Sequence, residues 1–325
     1  MHPTSFQQAP ARRDAWSDYW ASGRLHSCAT SFQGNYAGAI GGFWRAALSS
    51  LPAHSRVLDL ATGNGAVPAL LWELHRGAVD VDAVDMAHVA PTWLAAEHGA
   101  SIRFHPGVDM EALPFADGGF DCVTSQFGFE YARRQPALAE ACRVLADGGG
   151  LHLVMHHQRS RLVQVGREEI SHHQHLAAPE GLLAAAHEVL PVLAAVRAGR
   201  PPDSAAVQAR ERYNRALAEL AAIAGRSSAP DLLLETRQAV HGLLAGVGPD
   251  PAPALKGLAR LEQDLARARL RTAEMVECAL DRAQVDELAH ALGQARPGWR
   301  VEVAELAQAE GVLGWSLSAA PPARG

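Results

Sequence analysis

The sequence predicts an α/β fold in which helices cover both faces of a seven-stranded sheet, with a large all-helical insertion between strands five and six. Three observations support this prediction. Short apolar runs alternate with helical patterns over residues 56–157, the order expected of a parallel sheet. A turn containing Gly63 and Gly65 joins the first apolar run to a helix. Residues 160–296 are rich in Ala, Leu, Glu and Arg and show helical periodicity.

The N-terminal segment, residues 1–50, is predicted to form an aromatic-rich helical cap that follows a loose tail over residues 1–12. Trp16, Tyr19 and Trp20 have the i, i+3, i+4 spacing that places side chains on one helix face. This face either packs on the main domain or closes over an active site, and the pattern alone leaves both alternatives open.

The central part of the chain and its last fifty residues supply the strands of the sheet. The second strand ends in Asp85, and the last two strand candidates follow the helical insertion. We predict strands at about 56–61, 79–84, 101–105, 120–125, 151–156, 299–304 and 314–318, with helices at about 66–76, 87–98 and 135–146.

The insertion is predicted to contain several antiparallel helices, near 180–198, 204–224, 231–246, 252–279 and 282–293. Pro191 should break or kink the first of them. Ser204, Asp231 and Asp281 are candidate N-caps, and Gly225 is a candidate C-terminal stop. We therefore expect three regions: a cap (1–50), a sheet domain (51–159 and 297–325) and an insertion (160–296) that covers an acceptor site or forms a homodimer interface.

Composition limits the classes of partner. The net charge is −6, Lys256 is the only lysine, and no basic tract is present, which argues against nucleic acid. The four cysteines are scattered without a C-x-x-C pair, which indicates reduced thiols and a cytoplasmic location. The sequence has neither a leader pattern nor an apolar run of membrane-spanning length, so we expect no membrane association.

The glycine turn argues against a dinucleotide and for a cofactor with a positively charged end. Pro68 occupies the position of the third glycine in a G-x-G-x-x-G pattern, and Asp59 would repel a pyrophosphate. The segment resembles motif I of the class I S-adenosylmethionine (SAM)-dependent methyltransferases, (D/E)-x-G-x-G-x-G, with Ala61 in place of the first glycine. The D-x-A-T-G-x-G form is similar to the quinone-biosynthesis C-methyltransferase group. This resemblance implies a Rossmann-like sheet whose last strand is antiparallel, and SAM as the cofactor.

Two further segments extend the resemblance. Asp85, about twenty residues after the turn, can accept hydrogen bonds from both ribose hydroxyls of an adenosine, a device that NAD enzymes share. Asp109 begins a segment that resembles the D-x-x-x-L-P-F run of the family, where the Asp accepts from the adenine amino group. The resemblance implies these cofactor-binding residues: Asp59, Ala61, Thr62, Gly63, Gly65, Asp85, Met86, Asp109, Met110, Gln126 and Phe127.

The segment Ser125–Tyr131 resembles the S-F-G-x-x-N stretch of the quinone C-methyltransferases, and it lacks an N/D-P-P-Y pattern. Glu130 can orient or deprotonate an acceptor, or it can be a structural or exposed acid. His156, after strand five, can accept a proton near neutral pH or simply lie in a loop. The candidate catalytic residues are Glu130, Tyr131 and His156, and the candidate substrate-binding residues are Trp20, His26, Tyr36 and Phe129. His172, His173 and His175 lack a partner pattern, so no metal site is expected.

We therefore predict a transferase, namely a SAM-dependent methyltransferase of small-molecule metabolism. Oxygen or nitrogen is the preferred acceptor atom, and carbon is second. Two other classes stay open: an NAD-dependent oxidoreductase, and a catalytically silent SAM-binding subunit that acts through its helical insertion.

Overall fold

A computed structural model describes residues 9–26, 34–309 and 311–322. Phe32, an aromatic residue of the predicted cap, lies outside these ranges. The chain divides into two compact units, one formed by Met1–Val163 with Glu274–Gly325 and the other by Gln164–Ala273. No helix in the described part of the chain is long and apolar enough to cross a membrane.

The first unit contains a mixed sheet whose seven strands confirm the predicted fold class. The strands are β1 (Arg56–Leu60), β2 (Asp80–Asp85), β3 (Ile102–Pro106), β4 (Phe120–Gln126), β5 (Leu145–His156), β6 (Arg300–Gln308) and β7 (Gly311–Ala320). Their order is β3-β2-β1-β4-β5-β7-β6, and β7 runs antiparallel to both of its neighbours. The chain leaves β1 toward β2 on one side and returns to β4 on the other. This reversal creates a crevice at the carboxyl ends of these strands.

Ten α-helices are present in the described residues. They are α1 (Ala9–Ala21), α2 (Gly38–Leu48), α3 (Ala66–His75), α4 (Arg134–Val144), α5 (Arg161–Leu176), α6 (Leu182–Arg197), α7 (Ser204–Ala224), α8 (Asp231–Gly246), α9 (Ala252–Cys278) and α10 (Arg282–Ala295). Six of them, α5–α10, lie between β5 and β6, as the fold prediction requires.

The core of the first unit follows from side-chain alternation along the strands. Leu58 and Val123 face one side of the sheet, where they join a cluster that includes residues of α4 and α10. Val57 and Cys122 face the other side and join residues of α2 and α3. Because the central strands are buried on both faces, apolar residues occupy consecutive positions in them, such as Val57-Leu58 and Cys122-Val123. The second unit has its own core, in which Leu190, Leu220, Leu233 and Leu258 are fully buried.

Three parts of the helix prediction differ from the structure. Residues 87–98 form turns rather than a helix, because Pro91 lacks the N–H that a helix interior needs and disfavours helical geometry in the residue before it. The ring of His98 instead accepts a hydrogen bond from the backbone of Ala95 (2.8 Å). The helix α5 was missed. Pro191 lies inside α6 without ending it, so a break at this residue is wrong, whereas a kink stays a prediction; Leu190 and Ala194 on either side are buried in the core.

The predicted helix ends were partly correct. Asp281 is an N-cap, and its side chain and that of Gln284 form a reciprocal capping box. Gly225 is the C-cap of α7. Two N-caps are shifted by one residue: Asp203 rather than Ser204 caps α7, and Pro230 precedes α8.

Candidate active site

A cavity of about 440 Å³ lies in the first unit, at the carboxyl edge of the sheet. Its wall combines the aromatic residues Trp16, Trp20, Phe127 and Tyr131 with the carboxyl groups of Asp85, Asp109 and Glu111. Mostly apolar walls with a few convergent polar groups are typical of small-molecule sites. The size and position of the cavity therefore make it the candidate active site.

The glycine turn meets this cavity at Ala61, whereas Gly63 and Gly65 are not among the residues that line it. Gly63 and Gly65 have φ values of 55° and 80°, the left-handed region that favours glycine. Ala61 also has a positive φ, 51°, although it is not a glycine. The family resemblance places the first motif glycine at this position, and the backbone geometry explains why a glycine is usual there. The turn thus keeps the glycine conformation where the sequence departs from the motif.

Asp85 connects the turn to the end of β2. Its Oδ2 accepts from the Gly63 N–H (2.8 Å), and its Oδ1 accepts from the Ala87 N–H (2.8 Å). The residue is buried and lines the cavity, and burial raises the pKa of its carboxyl to about 6. A carboxylate has about four acceptor positions, so Asp85 fixes the turn and retains positions for a ligand.

The end of β3 contributes the next part of the wall. Val108 donates its N–H to the Asp85 backbone oxygen (3.0 Å), which joins this segment to β2. Asp109 Oδ1 accepts from the backbone N–H of Glu111 (2.9 Å). Met86, Asp109 and Met110 line the cavity, so the structure brings these three sequence-predicted residues together with Asp85.

A second, smaller cavity of about 30 Å³ lies beside the turn. Asp59, Thr62 and Gln126 line it, together with His26 and Tyr36. Asp59 is 1% exposed, and its Oδ1 accepts from the Thr124 hydroxyl (2.7 Å). Burial, reinforced by the nearby Asp85, raises the pKa of Asp59 to about 7. A small cavity next to a buried acid can accommodate part of a charged ligand.

Gln126 provides a test of whether this region fits SAM. Its Oε1 accepts from the Trp44 indole, whereas its buried Nε2 has no hydrogen-bond partner among the described residues. A buried donor without a hydrogen-bond partner destabilises the folded protein by about 1–3 kcal/mol. A ligand that supplies an acceptor to this donor would remove that cost. SAM carries a carboxylate and an ammonium group at its methionine end. The free amide of Gln126 and the carboxyl of Asp59 match these two groups in chemical type, so the residues present fit SAM.

Glu130 and His156 form a buried pair behind the cavity wall. His156 donates its backbone N–H to Glu130 Oε1 (2.7 Å), and its ring Nδ1 lies 2.7 Å from the same oxygen. The other carboxylate oxygen, Oε2, is buried and has no partner in the described part of the chain. His156 stacks on Phe127 at 4.3 Å and meets Tyr131 edge-on at 5.9 Å. Of the three candidate catalytic residues, only Tyr131 is in the wall.

The candidate substrate-binding residues are divided among three places. Trp20 lines both cavities. His26 and Tyr36 stack on each other at 4.3 Å beside the smaller cavity. Phe129 was predicted to bind substrate, but it is fully buried in the core of the sheet domain. The short 3₁₀ turn at Phe129–Tyr131 explains this correction, because it directs Phe129 inward.

Sequence reasoning missed the charged residues that surround the cavity. Arg12 and Arg13 of α1 and Arg133 all line it. Arg133 pairs with Glu111 at 2.7 Å, and Arg12 pairs with Glu274 at 3.0 Å. The spacing of Arg12 and Trp16, one helical turn apart, was a signal that could have placed Arg12 on α1. No cluster of three His, Cys, Asp or Glu side chains suited to a metal occurs within residues 9–26, 34–309 and 311–322.

Comparison with known proteins identifies the domain. Residues 57–149 match the family described as "Methyltransferase domain". A demethylmenaquinone methyltransferase of Thermus thermophilus is 44% identical over 106 residues, which cover 30% of this chain and 46% of the relative. A ubiquinone/menaquinone biosynthesis C-methyltransferase of Dinoroseobacter shibae is 40% identical over 103 residues, 30% of this chain and 41% of the relative. The chain thus spans less than half the length of these relatives.

Among solved structures, the 1,6-didemethyltoxoflavin-N1-methyltransferase of Burkholderia thailandensis aligns with a TM-score of 0.38 and 19% identity. The alignment covers 48% of this chain and 66% of that protein, and a likeness this distant carries no argument about function. The sequence match and the sheet order define the class: the chain carries a class I SAM-dependent methyltransferase domain, with SAM as its cofactor. Within that class, the relatives named above are methyltransferases of quinone biosynthesis. The predicted class and cofactor are confirmed.

Proposed function

We propose that this protein transfers a methyl group from SAM to a small-molecule acceptor in the cavity of about 440 Å³. One observation carries the proposal: Ala61, the first residue of the glycine turn, and Asp85, which accepts from the Gly63 N–H of that turn, both line this cavity, inside the segment that matches the methyltransferase family. An oxidoreductase that uses NAD is disfavoured, because Pro68 lies in the first turn of α3 where the dinucleotide pattern has a glycine.

We assign the parts of SAM to residues by chemical type. Asp85 would accept the ribose hydroxyls, and Asp109 with Met86 and Met110 would hold the adenine. The amide of Gln126 and the carboxyl of Asp59 would receive the methionine end. When bound, SAM supplies a methyl group on a sulfonium with a good leaving group. The main task of the protein is therefore to align the acceptor, a proximity effect of up to roughly 7–11 kcal/mol.

Tyr131 is the proposed contact between the wall and the acceptor. Burial, reinforced by the neighbouring Glu130, raises the pKa of its hydroxyl well above the usual value. Tyr131 therefore stays protonated at neutral pH and can donate a hydrogen bond, but it does not act as a base. Glu130 and His156 lie behind it, and we assign them the role of holding Phe127 and Tyr131 in position.

The aromatic wall favours a planar acceptor. We propose oxygen or nitrogen as the methylated atom, because such nucleophiles need only alignment and at most the loss of one proton. Carbon in an electron-rich ring is the second candidate, and the similarity to the Dinoroseobacter C-methyltransferase supports it. A panel of phenols, amines and quinols incubated with SAM labelled at its methyl group would separate these candidates by the position of the label.

We expect the wild-type protein to bind SAM and S-adenosylhomocysteine in calorimetric titration and not to bind NAD. Replacing Asp85 with asparagine should weaken SAM binding by about 100-fold, or ~2.7 kcal/mol, because an amide NH₂ would face the N–H of Gly63 or Ala87. Asp82→Asn is the matched control. It removes a buried carboxyl from the same strand, but one that pairs with Arg103 and does not line the cavity. Binding of NAD alone would overturn the proposal.

Glu130→Gln should test whether Glu130 positions Phe127 and Tyr131 for turnover without affecting the binding of SAM. The variant keeps an oxygen that can accept the His156 N–H but loses the charge beside the ring. We expect turnover of the acceptor to fall about tenfold, or ~1.4 kcal/mol, while the affinity for SAM changes less than twofold. Wild-type turnover in this variant would remove Glu130 from the mechanism.

A further inference from the structure

Glu274, near the end of α9, is outside the cavity wall, yet two wall residues bind to it. Arg12 Nε lies 3.0 Å from Glu274 Oε1, and Trp16 donates its indole N–H to Oε2 (3.2 Å). Both partners belong to α1, one helical turn apart, and both line the cavity. A single carboxylate therefore binds α1 at two points with its two oxygens.

These contacts continue into the cavity wall. Arg12 also donates through Nη2 to the backbone oxygen of Tyr131 (3.2 Å), and Trp16 meets the Tyr131 ring edge-on at 5.8 Å. Trp16 stacks on Trp20 at 6.1 Å. The indole of Trp20 lies over the glycine turn, so close that a Cβ on Gly63 would be 2.5 Å from it. Glu274 is thus connected to the wall residue Tyr131 through Arg12 and Trp16, and to the glycine turn through Trp16 and Trp20.

The pair between Arg12 and Glu274 is partly shielded from water, with side chains 24% and 21% exposed. Burial raises the pKa of the Glu274 carboxyl, and the charge of Arg12 and the hydrogen bond from Trp16 oppose that rise. Arg12 Nε forms an ion pair rather than a hydrogen bond with Glu274, since this buried nitrogen has no hydrogen-bond partner among the described residues, whereas Trp16 adds a charge-assisted hydrogen bond. Charged contacts that are shielded from water are stronger than exposed surface pairs, whose median contribution is close to zero. This interaction is therefore able to hold a helix in place.

We propose that Glu274 is a positioning residue for methyl transfer: it fastens α1 over the cavity and so slows the release of bound ligand. The proposal rests on the proposed function for the identity of that ligand. Glu274 would act only through Arg12 and Trp16, because no atom of Glu274 lines the cavity. Nothing in the sequence links it to the glycine turn, which is more than two hundred residues earlier.

The test compares three full-length proteins: wild type, Glu274→Gln, and Glu287→Gln, which changes an exposed glutamate on α10. The first measurement is hydrogen exchange of the α1 amides without ligand. We expect Glu274→Gln to lose protection in α1 about tenfold, with unchanged protection in β1 and β4. The second measurement is the dissociation rate of S-adenosylhomocysteine, which should rise about tenfold in Glu274→Gln and stay at the wild-type value in Glu287→Gln.

A double substitution separates positioning from general destabilisation. This step adds the single variant Arg12→Gln and the double variant Arg12→Gln/Glu274→Gln. If Glu274 and Arg12 act as one unit, the double variant should release S-adenosylhomocysteine at the rate of the faster single variant, and the two effects should not multiply. Wild-type protection of α1 in Glu274→Gln would overturn the proposal, and so would an unchanged dissociation rate. If wild type does not bind S-adenosylhomocysteine, the proposed function fails, while hydrogen exchange still decides whether Glu274 fastens α1.

Discussion

Replacing Gly63 with alanine should reduce SAM affinity by at least about 100-fold, or ~2.7 kcal/mol. Two effects combine at this residue. Its φ of 55° is left-handed, which costs a residue with a Cβ about 1–2 kcal/mol. A Cβ would also lie 2.5 Å from the Trp20 ring, which packs against Trp16 and Tyr19 and so has little room to withdraw. The turn or the tryptophan must move, and both Trp20 and Ala61 of the turn line the candidate SAM site.

Gly118→Ala is the matched control for this experiment. Gly118 has a similar φ of 63°, but a Cβ there would meet nothing within 4 Å. Both variants should therefore lose a similar amount of stability from backbone strain, and only Gly63→Ala should lose affinity. Thermal unfolding and calorimetric titration of the two variants measure these effects. If they bind SAM within threefold of each other, the glycine turn is not the binding site.

The elements that the sequence predicted well are those whose signal is local. The strands β1, β2 and β4 each contain adjacent apolar residues with polar residues on either side, and burial on both faces of a sheet favours such adjacent apolar positions. The capping box at Asp281 and Gln284 is likewise contained in four residues. Residues 87–98 show the limit of local patterns, since a helical run of side chains cannot replace the N–H missing at Pro91.

The candidate site shows the same limit. Asp85 and Asp109, which the sequence predicted from their positions after β2 and β3, both lie in the cavity wall, because the carboxyl ends of parallel strands meet at one edge. Sequence position does not predict in which direction a side chain of a short turn points. Phe129 and Glu130 therefore point into the protein, whereas Tyr131 reaches the cavity. The contact between Arg12 and Glu274 joins residues that are 262 positions apart in the sequence, and no local sequence pattern predicts it.

Asp59 should make the ligand-free protein less stable as the pH rises from about 4 to 7. Its pKa is about 7 in the folded chain and 3.8 in the unfolded reference, so over this interval the folded state holds a proton that the unfolded state has released. The stabilisation is complete below the unfolded pKa and is lost as the pH passes through the folded pKa. The three-unit difference corresponds to as much as ~4 kcal/mol of unfolding free energy, at about 1.4 kcal/mol per unit. Asp85, with a pKa of about 6, contributes in the same direction.

Asp59→Asn isolates the contribution of this one carboxyl. Asparagine keeps an oxygen that can accept from Thr124 but does not titrate, so any packing cost is the same at every pH. Urea unfolding gives the free energy of unfolding at pH 4 and at pH 8. The decrease in this free energy from pH 4 to pH 8 should be up to ~4 kcal/mol smaller in Asp59→Asn than in wild type. Asp147→Asn, which changes a fully exposed carboxyl, should behave as wild type. An equal loss in wild type and Asp59→Asn would contradict the prediction.

The Asp59 carboxyl lowers the stability of the ligand-free protein at neutral pH, so folding alone does not explain why a carboxyl is present at this buried position. Ligand binding is the alternative explanation. The Thr124 hydroxyl needs only an oxygen acceptor at this position, and Asp59 shares its sheet face with Val57 and the apolar residues that pack there. The small cavity that Asp59 lines, next to the unsatisfied amide of Gln126, supplies that explanation. A cationic group in this cavity would favour the ionised carboxylate and recover the energy that burial costs. SAM should therefore stabilise wild type more at pH 8 than at pH 5, and this difference should shrink in Asp59→Asn.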